Sequence, residues 1–248
     1  MTERGSSPRV AFVTGGSRGI GRACATRLAQ EGYAVAINFA SNEDAAKQAV
    51  DDVSAAGGRA VPLKGDVADE QAMRAAFDRA ESEFGGVDVV VHAAGRMPLS
   101  PIVDLQLEEL DAVYRTNIRG TFVVNQQGAR RLRNGGSIIN FSSSVVGASF
   151  PRYGAYAASK GAVEALTMIL ARELRGRDVT VNAVAPGPTA TDLFFDGKSE
   201  EEIDRLAQAV PLERLGRPAD IAEAVAFLAG PHGHWVNGQV IRVNGGLV

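Results

Sequence analysis

Short apolar runs alternate with amphipathic stretches along the whole chain, and this alternation predicts its elements. Val10-Ala11-Phe12-Val13 shows no polar alternation, as a strand buried on both faces does. Comparable runs follow at 34–39, 60–63, 87–93, 137–141, 179–185 and 239–243. Helical patterns lie between them: one ending at Gln30, then 42–56, 69–84, 106–114, 117–132 and 218–228. Another runs through Tyr156, with Val163, Leu166, Leu170 and Leu174 as its core stripe. Buried strands joined by helices predict an α/β fold, a doubly wound parallel sheet of about seven strands with helices on both faces. The segment 188–211 loses strand character: Phe194 and Phe195 lie beside Asp196-Gly197, and an acidic helix start follows at Ser199-Glu200-Glu201-Glu202. A mobile substrate lid with an apolar lining is expected there. With no repeat or linker, residues 1–248 are expected to form one domain.

Charge adds exclusions. Lys plus Arg total 26 against 29 acids, a net charge of -3, so neither a nucleic-acid nor a membrane footprint is expected. The one cysteine, Cys24, rules out an internal disulfide, fits a reducing compartment and reads as a small buried residue. Met1 to Arg9 is short and polar without the apolar core of a signal peptide, and no run is long enough to cross a bilayer. A soluble, cytoplasmic protein is expected. His92 ends a strand and reads as a satisfied polar core residue; His232 and His234 lack a cluster of further ligands, so no metal is expected.

The candidate chemistry sits at strand ends. Thr14-Gly15-Gly16-Ser17-Arg18-Gly19-Ile20-Gly21 lies between a strand and a helix, where missing Cβ atoms let backbone N–H groups approach a pyrophosphate. Where such a fold puts a ribose-binding acid, the second strand ends in Asn38-Phe39, with no carboxylate before Glu43. That absence, with Arg18 as a forked cation in the glycine loop, favours NADP(H) over NAD(H). Ser142-Ser143-Ser144 closes the fifth strand and reads as either ligand-facing hydroxyls or a polar turn; Asn117 alone reads as a helix cap. Tyr156 and Lys160, four residues apart, project from one helix face. At roughly 5 Å and an effective dielectric near 20 the attraction is about 3 kcal/mol, enough to bring a phenol from about 10 down to about 8. The small residues of that helix (Ala157, Ala158, Gly161, Ala162, Ala165) suit either internal packing or a subunit contact.

Taken in order, Thr14-Gly15-x-x-x-Gly19-x-Gly21, Asp66-Val67, Ala93-Ala94-Gly95, Asn117, Ser143, Tyr156-x-x-x-Lys160 and Pro186-Gly187 make the chain resemble the short-chain dehydrogenase/reductase family over almost its whole length. Two positions depart from the family pattern: His92 replaces the usual Asn before Ala93-Ala94-Gly95, and Asn244 replaces an Asp before Gly245-Gly246. The resemblance implies a Rossmann-type fold and an NADP(H)-dependent oxidoreductase. In it Tyr156 is the acid/base, Lys160 lowers its pKa and holds the nicotinamide ribose, Ser143 donates to the substrate oxygen, and Asn117 positions a water. Asp66, with Val67 beside it, would meet adenine. Arg18, Asn38 and Ser41 would hold the extra phosphate, and Pro186, Gly187, Thr189 and Thr191 would meet the nicotinamide. Ser17, Ile20, Ala93, Ala94 and Gly95 complete the cofactor set; Arg96, Phe150, Tyr153, Phe194 and Phe195 form the expected substrate pocket. The texture resembles 3-oxoacyl-[acyl-carrier-protein] reductases, and Arg133 and Arg177 are expected near the site as grips for an acidic carrier. A free ketone or aldehyde reductase, a sugar or polyol dehydrogenase, and an NADP(H)-sensing regulator without turnover are the alternatives. The family's homotetramers or dimers imply the same here.

Overall fold

A computed structural model describes residues 8–248; the Met1–Ser7 part of the polar start lies outside the described residues. Seven parallel strands form one sheet: β1 (Val10–Thr14), β2 (Ala34–Phe39), β3 (Arg59–Lys64), β4 (Val89–His92), β5 (Ser137–Phe141), β6 (Thr180–Pro186) and β7 (Val240–Val243). Their order is β3-β2-β1-β4-β5-β6-β7. The chain winds outward through β2 and β3, returns to the centre, and winds the other way from β4. The crevice between the ends of β1 and β4 is therefore where such a sheet takes a ligand.

The helices are α1 (Gly19–Gln30), α2 (Glu43–Ala55), α3 (Glu70–Phe84), α4 (Leu107–Val113), α5 (Gly120–Arg131), α6 (Val145–Ala148), α7 (Gly154–Glu173), α8 (Asp192–Phe195), α9 (Glu200–Gln208) and α10 (Pro218–Ala229). Strand periodicity sorts the core into two layers. Ala11, Val13, Val89 and Val91 face Leu28 of α1 and Ile221 and Val225 of α10. Val10, Phe12 and Val90 face α3 and α5, where Phe12 and Phe77 stack with ring centroids 4.1 Å apart. Each of these two rings is fully buried, worth about 1.5–3 kcal/mol apiece.

The pattern fails at one place that matters. The predicted break before Asn117 is absent: a π-helical turn, Tyr114–Arg119, carries α4 straight into α5. Asn117 is thus no helix cap. The wider turn aims its side chain into the protein, where it is 1% exposed. In the segment 188–211 the acidic helix start is real. Ser199 caps α9, its hydroxyl accepting from Glu202 N at 3.2 Å.

Candidate active site

The glycine loop leaves β1 and opens α1. Gly15 has φ +61°, and a Cβ there would stand 2.9 Å from the backbone of Ala94. A Cβ on Gly21 would stand 2.2 Å from the Gly15 carbonyl oxygen. The loop therefore packs backbone on backbone, and no side chain caps the start of α1. A cleft of about 540 Å³ opens above it along the strand ends. Every residue assigned above to cofactor, substrate or chemistry lines that cleft except Asn117, Phe195 and the two arginines expected to grip a carrier, Arg133 and Arg177. Phe195 turns outward, 39% exposed, its ring edge-on to Phe194 at 5.7 Å. Its assignment to the pocket is corrected: the single turn of α8 buries one of two adjacent rings and exposes the other.

Tyr156 and Lys160 both lie on α7 and are buried. The expected acidification of the phenol does not occur. Burial pushes Tyr156 up to about 12, with Ser143 opposing in part. Lys160 is itself pushed down to about 8 by burial. Its Nζ donates to the Phe141 carbonyl oxygen at 2.7 Å and lies 5.6 Å from the Tyr156 ring centroid. Desolvation outweighs the through-space attraction that helical spacing alone suggested.

The three serines separate by partner. Ser142 Oγ donates to Glu164 Oε1 at 2.6 Å, and Ser144 Oγ donates to the Ala185 carbonyl oxygen at 3.2 Å. Ser143 Oγ accepts from Val145 N at 3.3 Å, which leaves its hydroxyl hydrogen free to face Tyr156. Asn117 stands behind the strand end: its Oδ1 accepts from Arg96 N at 2.8 Å and its Nδ2 donates to Arg96 O at 2.9 Å and Ser159 Oγ at 3.0 Å. A Cβ on Gly95 would meet Asn117 Oδ1 at 3.4 Å and Lys160 Nζ at 3.7 Å, so both groups crowd one backbone atom.

Three further expectations change. Asn38 donates both amide hydrogens to the carbonyls of Leu63 and Gly65, at 3.1 and 3.0 Å, and ties β2 to β3. It has no donor left for a phosphate. His92 is buried with Nδ1 2.8 Å from Thr14 Oγ1, yet its Nε2 has no partner among the described residues. Burial, helped by the charge of Lys160, pushes its pKa down to about 3. Arg133 and Arg177 do not border the cleft. They sit at the opposite ends of the strands, Arg133 3.2 Å from Asp88 and Arg177 donating to the carbonyls of Ala129 and Leu132.

Asp66 lines the cleft with one oxygen accepting from Ala68 N at 2.9 Å and the other paired with Arg115. Burial raises its pKa, but these two donors overcome that and hold it below the usual carboxylate range. Arg115, Met97, Leu193 and Leu206 also line the cleft and were not foreseen. Leu206 lies on the amphipathic α9 and was findable from that stripe. Arg115 carries no local signal, since its partner is 49 residues away. Among the described residues, no group of three or more His, Cys, Asp or Glu is placed to hold a metal, and no helix is long and apolar enough to cross a membrane.

A family model described as Enoyl-(Acyl carrier protein) reductase matches residues 15–248. A short-chain type dehydrogenase/reductase of Picea abies is 46% identical over 97% of this chain and 92% of its own. The NADPH-dependent aldehyde reductase-like protein, chloroplastic, of Arabidopsis thaliana is 42% identical over 97% and 94%. The crystal structure of a short chain dehydrogenase from Burkholderia cenocepacia J2315 in complex with NADP superposes with a TM-score of 0.91 at 38% identity, covering 96% of this chain and 97% of that one.

Proposed function

The chain belongs to the short-chain dehydrogenase/reductase family, and from that membership we propose that it reduces a carbonyl to an alcohol with NADPH, Tyr156 serving as the acid/base. One observation carries the reading: Ser143, Tyr156 and Lys160 line one end of the cleft together, the amine 5.6 Å from the phenol ring. The residues present fit the dinucleotide. Backbone contacts at Gly15 and Gly21 keep the loop bare of Cβ atoms where a pyrophosphate would lie. Arg18 and Ser41 are exposed at its rim, and no carboxylate lies between the end of β2 and Glu43 to repel a 2′-phosphate. Asp66 and Val67 would border the adenine, and Ala93 to Gly95 with Pro186, Gly187, Thr189 and Thr191 the nicotinamide half. When bound, NADPH supplies the hydride.

The chain's own groups supply the rest. Tyr156 carries its proton at neutral pH and gives it to the substrate oxygen as charge develops there. Ser143 donates to the same oxygen, an interaction that strengthens in the transition state. The Lys160 ammonium, protonated below about 8, stabilises the phenolate left behind. Asn117 holds the Arg96 backbone and would position a water beside Lys160. Arg96, Phe150, Tyr153 and Phe194 form the substrate wall, closed by a lid over 188–211. The remoteness of Arg133 and Arg177 favours a free aldehyde or ketone over a carrier-bound 3-oxoacyl thioester, in keeping with the name of the Arabidopsis relative. Exposed Phe122 on α5 and Met168 and Ile169 on α7 support a homotetramer or dimer built on these helices. The single buried cysteine suits a reducing compartment such as the cytoplasm.

The test is Tyr156→Phe, assayed against a panel of ketones, aldehydes and 3-oxoacyl thioesters with NADPH and NADH in parallel. Turnover is expected to vanish while NADPH binding stays near wild type. Undiminished turnover by the variant refutes the assignment.

A further inference from the structure

Among the cleft residues that the cofactor reading leaves without a role, Arg115 is the charged one paired with an assigned residue. Arg115 belongs to the π-helical turn, lines the same cleft as Arg18, Ser41 and Val67, and pairs with Asp66. Asp66 is the acid assigned above to the adenine. One of its oxygens is taken by Ala68 N and the other by the Arg115 guanidinium. A carboxylate has about four lone-pair sites, so it can hold the guanidinium and still accept from a purine. The arginine therefore stands beside the purine's expected position.

The turn behind it is anchored. One helical turn on, Arg119 Nε donates to the Ala68 carbonyl oxygen at 2.9 Å, and a Cβ on Gly120 would meet Val67 Cγ2 at 2.7 Å. The backbone carrying Arg115 is thus held against the 66–68 turn at several points. The arginine side chain itself is half exposed, with one edge on Asp66. A guanidinium is planar and weakly hydrated, and it stacks on aromatic faces with a cation–π attraction that an ammonium matches less well in shape.

We propose that Arg115 is a cofactor-binding residue of the adenosine half: held at its edge by Asp66, its guanidinium plane forms the outer face of the purine slot. This rests on the NADP(H) reading above. It adds a determinant that lies outside the glycine loop and the strand ends. The residue's contribution belongs to the adenosine end alone.

The experiment titrates wild type, R115A and R115K with NADPH, adenosine 2′,5′-bisphosphate and reduced nicotinamide mononucleotide, following ligand or protein fluorescence. In R115A the Kd for NADPH and for the bisphosphate is expected to rise about tenfold, while the mononucleotide changes less than twofold. R115K, which keeps charge and loses the plane, is expected to stay within about twofold of R115A. Unchanged NADPH affinity in R115A, an equal loss for the mononucleotide, or full recovery in R115K overturns the proposal. Wild type that fails to bind NADPH at all strikes the cofactor reading instead.

Discussion

Burial pushes Tyr156 up to about 12 and Lys160 down to about 8, so of the two it is the lysine that titrates nearer neutral pH. Reduction asks the phenol for a proton and then needs a cation beside the phenolate. The rate of the reductive direction should therefore be flat near pH 6–7 and fall on the alkaline side with a midpoint near Lys160's value of about 8. A kcat/KM profile against pH measures this, and Lys160→Met should lower the rate throughout and remove that limb. Ser143→Ala should cost about 10²-fold in kcat, the effect of one donor to a developing oxyanion. Ser142→Ala, which breaks only the Glu164 contact, should leave kcat within about threefold; equal losses in the two variants would show that the serines were wrongly separated. Helical spacing revealed the Tyr156–Lys160 neighbourhood but gave the wrong direction for the phenol. Proximity is local to four residues, whereas desolvation depends on everything packed around them.

At the scale of elements, the π-helical turn converts an apparent cap into a brace. Asn117→Ala would strand the Arg96 N–H and the Arg96 carbonyl, while Ser159 keeps its bond to the Tyr156 carbonyl, at a cost of about 2–4 kcal/mol in urea unfolding. A loss below about 0.5 kcal/mol would deny the brace. The glycine loop makes a second test. Gly15→Ala adds a Cβ into the Ala94 backbone at a φ of +61°, so it should abolish NADPH binding as read by fluorescence titration. Strand positions, the glycine loop and the Ser199 cap were legible because each depends on neighbours in sequence. The π turn was not, since one extra residue per turn leaves no periodic signature in so short a stretch. Nor was the commitment of Asn38 to Leu63 and Gly65, which exists only once β2 lies beside β3.

For the whole molecule, His92 is a buried base that weakens the fold in acid. The unfolded chain takes up a proton near pH 6.5, but the folded chain resists until about 3, because of burial and then Lys160. The depressed value means its contribution is fully present above 6.5 and is lost as pH falls toward 3, at about 1.4 kcal/mol per pH unit. Between pH 6.5 and 5 wild type should thus lose about 2 kcal/mol more than His92→Asn, measured by denaturant titration at each pH. Parallel losses in the two proteins would exclude His92 as the source. The apolar face of Phe122, Met168 and Ile169 predicts association, so analytical ultracentrifugation should give a dimer or tetramer. Phe122→Glu should shift it toward monomer.

The order of apolar runs and glycine turns by itself determined the parallel sheet and its crevice, and the motif resemblance added most of the residues that would meet a cofactor there. Sheet and crevice follow from periodicity and from contacts that close within a few residues. Which hydroxyl is free, which carboxylate is already paired, how far burial moves Tyr156, Lys160 and His92, and where Arg133 and Arg177 end up were decided only by the tertiary structure. Hydrogen-bond partners and desolvation come from groups tens of residues apart, brought together when the two layers close on the sheet.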